Sequence, residues 1–386
     1  MSAAVEMKVE DESAAIAGDI PALREALIRQ REYTLALYAD LPSTYWEPAH
    51  FPYLPVVNPP LWELAHIAWF AEYFCVRWQR EDIMGLATPS ILATADSLFN
   101  SQTVPHRERW RNTYPGKNAC FDYMQRSLAT VLDALSASDS ADLYPFQLAI
   151  AHEDMHAEAL AMTLRSLELP FPAAVPQRVH VEHVAGDIAF AGGQYWPGES
   201  ARSFRFDNEM PQHAALVGPF AIASDVVSAA QFEEFVSSSA YDDERLWSPA
   251  GRAWRDGPNA QTPPGRQADN ALPAIHVNYH EAEAWCCWAG RRLPTELEWE
   301  FAAVRSPALF ASTGRVWEWT ASPFAPYPGF VAGRYLEYSE PWFHTHQVLK
   351  GGSFVTHRRL KYPQYRNFYT PERRDVFCGF RTCARA

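Results

Sequence analysis

His152-Glu153-Asp154-Met155-His156 sets two imidazoles four residues apart. The stretch around them, Phe146 to Leu164, is rich in Ala, Leu, Met and Glu and holds no Gly or Pro, which predicts a helix. On a helix, residues i and i+4 stand on one face. Two imidazoles so placed can share a metal ion. The same spacing also arises on solvated or half-buried faces, and the pair alone leaves both readings open. Glu153 completes the letters His-Glu-x-x-His, in which a zinc hydrolase uses the Glu as general base. The extension with a third His and a Gly is absent, because the helical pattern runs on. Glu158 lies about 200° round the helix from His156, which suits a packing or supporting role. The third ligand must come from another element. His66 is the candidate, within an apolar segment that opens Asn58-Pro59-Pro60 and reads as a second helix with Asn58 as its N-cap. A His on such a face also serves as a hydrogen-bonded core residue. A His from a second helix facing a His pair is equally how bundles build metal sites.

Four helical patterns precede residue 185, at about 19–40, 59–80, 117–136 and 143–168, and they fit an antiparallel bundle. Beyond it the chain turns to short strands and turns rich in Gly, Pro and Trp, with helices only near 228–238 and 279–289. The expected division is a disordered start (1–18), a helical bundle with the metal site (19–170), a Pro-rich linker (171–186) and an irregular α+β domain (187–386).

The 386 residues are 48% hydrophobic and 14% aromatic, enough for substantial cores. A net charge of −13 argues against nucleic-acid binding through a general basic field. No run of about 18 apolar residues exists, so no membrane span is expected. The N-terminus is acidic and polar, unlike a signal peptide. The six cysteines form no Cys-x-x-Cys, and a cytoplasmic protein with free thiols is expected.

Four strings in the second half carry a specific signature: Pro273 to Phe301, Gly314-Arg-Val-Trp-Glu-Trp-Thr320, Val348-Leu-Lys-Gly-Gly-Ser353 and Gly379-Phe-Arg381. Together they resemble the formylglycine-generating-enzyme (sulfatase-modifying-factor) domain, which implies an α+β C-type-lectin fold. Such a domain after a His-bearing bundle resembles the ergothioneine-type sulfoxide synthases, in which a DinB-like four-helix bundle comes first. Leu98-Phe-Asn-Ser101 and His152-x-x-x-His156-x-Glu158 also match that family. The resemblance implies a mononuclear non-haem Fe(II) held by His66, His152 and His156. It further implies O2-dependent joining of a chalcogen donor to the imidazole C2 of hercynine, and a catalytic tyrosine at Tyr338.

Departures from the pattern narrow the branch. The family usually places Gln beside the hercynine imidazole where this chain has Met155, which implies a reshaped pocket. Thiol-specific members hold the donor's carboxylates with arginines. Here the loop offers Arg107, Arg109 and Arg111, which read either as clamps or as a solvated charged loop. Asp96 to Trp110, the His-Glu-Asp-Met-His string and Tyr338 to Phe343 are similar to the selenoneine-synthase branch, which implies a selenosugar donor. Trp342, Phe343 and Asn367 then become candidate sugar-binding residues, or scaffold. Three other readings stand beside this one: a sulfoxide synthase using cysteine or γ-glutamylcysteine, a lectin-like protein that only binds a small molecule, and a zinc hydrolase. Peptide-cysteine oxidation is disfavoured, because Arg358 to Thr370 holds no cysteine.

Overall fold

Helix α1 (Ile20–Leu37) starts where Asp19 accepts the Ala22 amide at 2.8 Å, with Pro21 in its first turn. Then come α2 (Pro60–Glu72), a short α3 (Ala95–Phe99), α4 (Lys117–Ala137) and α5 (Tyr144–Ser166). The computed structural model describes residues 18–78, 88–138, 142–179, 186–198, 202, 204–258, 263–264, 267 and 269–385. The expected disordered start up to residue 17, residues 79–80 of the second helical pattern and residues 180–185 of the expected linker lie outside the described residues.

The chain divides into two compact units, with the cut at Val175/Pro176. The first unit also takes in two short later segments, Arg202–Phe204 and His357–Arg359. In this unit α2 packs on α4 and α5, and α1 packs on the same two helices. Leu23, Leu27, Val131, Leu135, Phe146 and Ile150 form one core cluster. Leu135→Ala there would cost about 2–5 kcal/mol. All 13 residues of α2 are buried, which is why its apolar pattern is nearly continuous and not one-sided. The helix ends in a π turn, Tyr73–Arg77, rather than running on as α-helix toward residue 80.

The expected N-cap role of Asn58 is corrected: Pro59 occupies the cap position, with no side-chain cap bond. Proline has no side-chain acceptor, but Pro60 at the first helical position has no N–H to satisfy. Asn58 is thereby released for tertiary contacts.

The second unit holds β1 (Asp187–Phe190), β2 (Gly193–Tyr195), β3 (Ala215–Val217), β4 (Phe220–Ala223), α6 (Ala229–Ser237), α7 (Pro249–Arg255), α8 (Tyr279–Trp288), β5 (Arg291–Arg292), α9 (Glu296–Arg305), α10 (Pro307–Ala311), β6 (Trp317–Pro323), β7 (Gln347–Lys350), β8 (Asn367–Tyr369), β9 (Cys378–Phe380) and β10 (Cys383–Ala384). The strands form sheets of order β1-β4-β10-β5, β2-β3 and β8-β7-β6-β9, with β6 and β9 parallel. Both helices expected here are present, but α7, α9 and α10 are additional. α7 and α10, of seven and five residues, span too few turns for a period to show. The capping box of α9 is explicit, however: the Thr295 side chain accepts the Glu298 amide and Glu298 returns to the Thr295 amide. Trp299, Trp317 and Trp319 are fully buried. Gly379 is required by close approach, since a Cβ there would stand 2.3 Å from the Ala274 carbonyl oxygen.

Candidate metal centre

Helix α5 carries His152 and His156 on one face, and α2, packed against it, carries His66. Each imidazole offers a nitrogen, and the three nitrogens lie within 4.8 Å of one another. The Nε2 atoms of His152 and His156 are 3.1 Å apart, about the separation of two ligand atoms each about 2.1 Å from a shared ion.

Neighbouring groups turn each ring. The Nδ1 of His66 meets the Phe99 carbonyl at 2.8 Å. That carbonyl is placed by the short α3: Arg77 binds Asp96 at 2.9 and 2.6 Å, Trp69 Nε1 donates to Asp96 at 2.8 Å, and Trp62 Nε1 donates to the Leu98 carbonyl at 3.0 Å. The His66 ring also stacks on Trp62, centroids 4.6 Å apart. His152 lies flat on Phe70, centroids 3.5 Å apart. His156 Nδ1 is bonded to the Glu63 carboxylate.

Burial holds His66 and His152 well below the usual imidazole range, with His156 adding to the effect. Both are therefore neutral at physiological pH, and a neutral imidazole is the ligating form. For Glu63, burial pulls the carboxyl upward, but His156, Asn58 and Arg109 outweigh it and keep it below its usual range. Three imidazoles brought together, His66 and His152 buried and His156 half-buried, two with Nδ1 turned outward, fit a metal ion. Nitrogen ligation of this kind suits zinc, copper, iron and nickel alike.

The acidic neighbours are otherwise engaged. Glu153 is gripped by Arg31 at 2.8 and 3.0 Å, both side chains almost fully buried. A carboxylate so held is unsuited to take a proton from a metal-bound water, which removes the ground for the hydrolase reading. Asp154 is held by Arg359 at 2.9 and 2.7 Å. Glu158 is buried on the same helix and lies near Tyr33, whose pKa is pushed up to about 12 chiefly by burial and then by this carboxylate.

The three loop arginines separate. Arg109 stacks over Trp62 at 3.6 Å and donates to Asn58 Oδ1 at 2.7 Å, behind the histidines. Arg107 is exposed beside Tyr53, and Arg111 is exposed and paired with Glu108 at 2.8 Å. Met155, next to His156, is half-buried. The remaining candidates gather in the second unit around Phe368. Its ring contacts Tyr338 at 5.7 Å and stacks on Phe324 at 4.0 Å, and Phe324 contacts Phe343 at 4.9 Å. Asn367 precedes Phe368 on the edge strand β8 and accepts its amide at 2.9 Å. Trp342 is 41% exposed and donates to the Glu337 carbonyl at 3.0 Å. Tyr338 stacks on Phe206, centroids 4.4 Å apart, and its hydroxyl meets that of Tyr365 at 3.3 Å. Burial holds its phenol well above the usual range. The next residue, Ser339, donates to Asp207 at 2.5 Å, so the loop is anchored.

Glu63, Asn58 and the Phe99 carbonyl were not foreseen from sequence. The one available signal was a charged residue, Glu63, three positions before His66 inside an otherwise apolar run.

The sulfatase-modifying factor enzyme 1-like domain family matches residues 172–311 and 308–386. A hercynine oxygenase of Mycolicibacterium smegmatis is 29% identical, covering 92% of this chain and 96% of that protein. A hercynine oxygenase of Mycobacterium tuberculosis is 30% identical, covering 85% and 91%. A formylglycine-generating enzyme of Streptomyces coelicolor is 26% identical over 49% of this chain and 83% of its own length.

Proposed function

This chain belongs to the ergothioneine-type sulfoxide synthase family and carries its sulfatase-modifying-factor-like domain, and from that membership we propose that it joins a selenosugar to the imidazole C2 of hercynine at a mononuclear Fe(II) centre. The helical unit is then the family's DinB-like four-helix bundle, the second unit its C-type-lectin-fold domain, and the setting cytoplasmic. The observation that carries this reading is the trio His66, His152 and His156, the first two buried and the third half-buried, in a chain that aligns with hercynine oxygenases across both units.

Overall, a C–H and an Se–H bond are replaced by a C–Se bond, and O2 accepts the four electrons. One oxygen atom leaves as water and the other ends on selenium. Bound iron supplies the Lewis acidity and one-electron redox chemistry that this requires. The chain's own residues do the rest. Burial keeps His66 and His152 neutral, and the Phe99 carbonyl and Glu63 orient the rings. Tyr338 stays a neutral phenol with a proton to give, since burial holds its pKa high.

The donor choice is supported by the arginines. A cysteine-type donor brings carboxylates, which are best held by free guanidinium forks. Arg109 is engaged with Asn58 and Trp62, Arg111 with Glu108, and Arg107 lies over Tyr53. A neutral sugar asks for aromatic faces and uncharged hydrogen bonds, which Trp342, Phe343 and Asn367 offer. The test is iron-loaded protein incubated with hercynine, O2 and either the selenosugar, cysteine or γ-glutamylcysteine, with products identified by mass spectrometry. A hercynine selenoxide from the selenosugar alone is expected. Product only from a thiol would move the assignment to the sulfur branch. Absence of hercynine binding, with tight binding of a Cys peptide, would overturn the reading altogether.

A further inference from the structure

We propose that Glu63 is the positioning residue of the metal centre and dictates which nitrogen His156 presents, with Asn58, tied to Arg109, supporting its charge. Each link has a forced direction. Arg109 can only donate, so its Nη1 at 2.7 Å takes the carbonyl end of the Asn58 amide. The NH2 end of that amide is left on the side of Glu63, whose ionised form Asn58 favours. A carboxylate only accepts, so the proton in its bond to His156 sits on Nδ1. The Nε2 lone pair of His156 is thereby free, and it lies 3.1 Å from Nε2 of His152. His66 is set the same way by a different device, since the Phe99 carbonyl can only accept from its Nδ1.

The placement supports a role beyond packing. Glu63 is 4% exposed on a fully buried helix, where an acid is costly to keep without a task. Arg109 is held over Trp62 at 3.6 Å, and Trp62 in turn stacks on His66 at 4.6 Å. One guanidinium thus stands behind two of the three ligands, through the indole to His66 and, by its charge, through Glu63 to His156. A carboxylate behind an imidazole also raises its basicity as a ligand, and losing such a partner typically lowers metal affinity roughly 10–100-fold. In this chain, then, Arg109 belongs to the metal centre's support and not to donor binding.

The inference rests on the three-histidine centre of the proposed function, but not on any substrate. The test uses the full chain freed of metal and titrated with Co(II), followed by its visible absorption. Glu63→Leu is expected to lower Co(II) affinity roughly 10–100-fold and to shift the absorption bands. Glu63→Gln keeps an acceptor for the Nδ1 proton without the charge, so a smaller loss is expected. Asn58→Ala, which leaves Glu63 in place, falls between wild type and Glu63→Leu. Thermal melting of the metal-free protein should be nearly unchanged in Asn58→Ala, which a purely structural role would not allow alongside an altered Co(II) spectrum. Wild-type affinity and spectrum in the Glu63 variants would overturn the inference. Should Glu63→Leu fail to fold, wild-type behaviour of both Glu63→Gln and Asn58→Ala overturns it. A wild-type protein that takes up no Co(II) would instead refute the metal centre itself.

Discussion

Glu153→Gln separates two roles that the letters His-Glu-x-x-His leave open. In a hydrolase this change would abolish activity and spare stability. Here the carboxylate meets Arg31 at 2.8 and 3.0 Å, with side chains only 2% and 3% exposed. Glutamine keeps one accepting oxygen, so one contact is lost and the guanidinium stays buried without its counter-charge. Removing one partner of a buried pair costs about 3–5 kcal/mol, and the retained acceptor points to the lower end, about 3 kcal/mol. With a urea slope of about 2 kcal/mol per molar, the midpoint falls by about 1.5 M. Circular dichroism under urea reads this directly. Arg31→Met should act similarly, while the double variant Arg31→Met/Glu153→Leu removes both charges and should recover most of the loss. Bound-metal content should stay at the wild-type level in Glu153→Gln. An unchanged urea midpoint together with lost metal would refute the assignment of Glu153 to the scaffold.

Three further outcomes are expected. His66→Ala should drop iron content far below one per chain by metal analysis, whereas full occupancy would remove His66 from the centre. Tyr338→Phe should keep iron and hercynine binding but lose product roughly 10²–10⁴-fold; a wild-type product yield by mass spectrometry would make Tyr338 scaffold. Burial pushes Cys120 and Cys383 up to about 12, and Cys378 is also raised by burial. At pH 8 a thiol with a pKa near 12 is thiolate in only about one molecule in ten thousand. Iodoacetamide should therefore label these three only after unfolding, and rapid native labelling of Cys378 and Cys383 would reopen the thiol-oxidising alternative.

Much of the first unit was legible because it is local. Helix periods over 117–136 and 143–168 reappear as Lys117–Ala137 and Tyr144–Ser166. The i, i+4 spacing of His152 and His156 needs only the helix to bring the rings together, centroids 4.4 Å apart. Short elements were lost to the same rule, as α7 and α10 span too few turns to show a period. Asn58 was misread because its residue type suits a cap, and nothing local reveals that Arg109 claims its amide.

Sequence alone determined that His152 and His156 stand on one face of one helix, since that follows from residue type and spacing within one turn; that His66 comes within 4.8 Å of them was decided by helix packing. Tertiary structure decided what the acids do. Glu63 and Glu153 are alike as sequence, each an acid within an apolar helical stretch near a histidine. One meets His156 across 93 residues of chain, and the other meets Arg31 across 122. Those encounters are set by how α1, α2 and α5 pack, and a buried carboxylate takes its role from whichever partner compensates its charge.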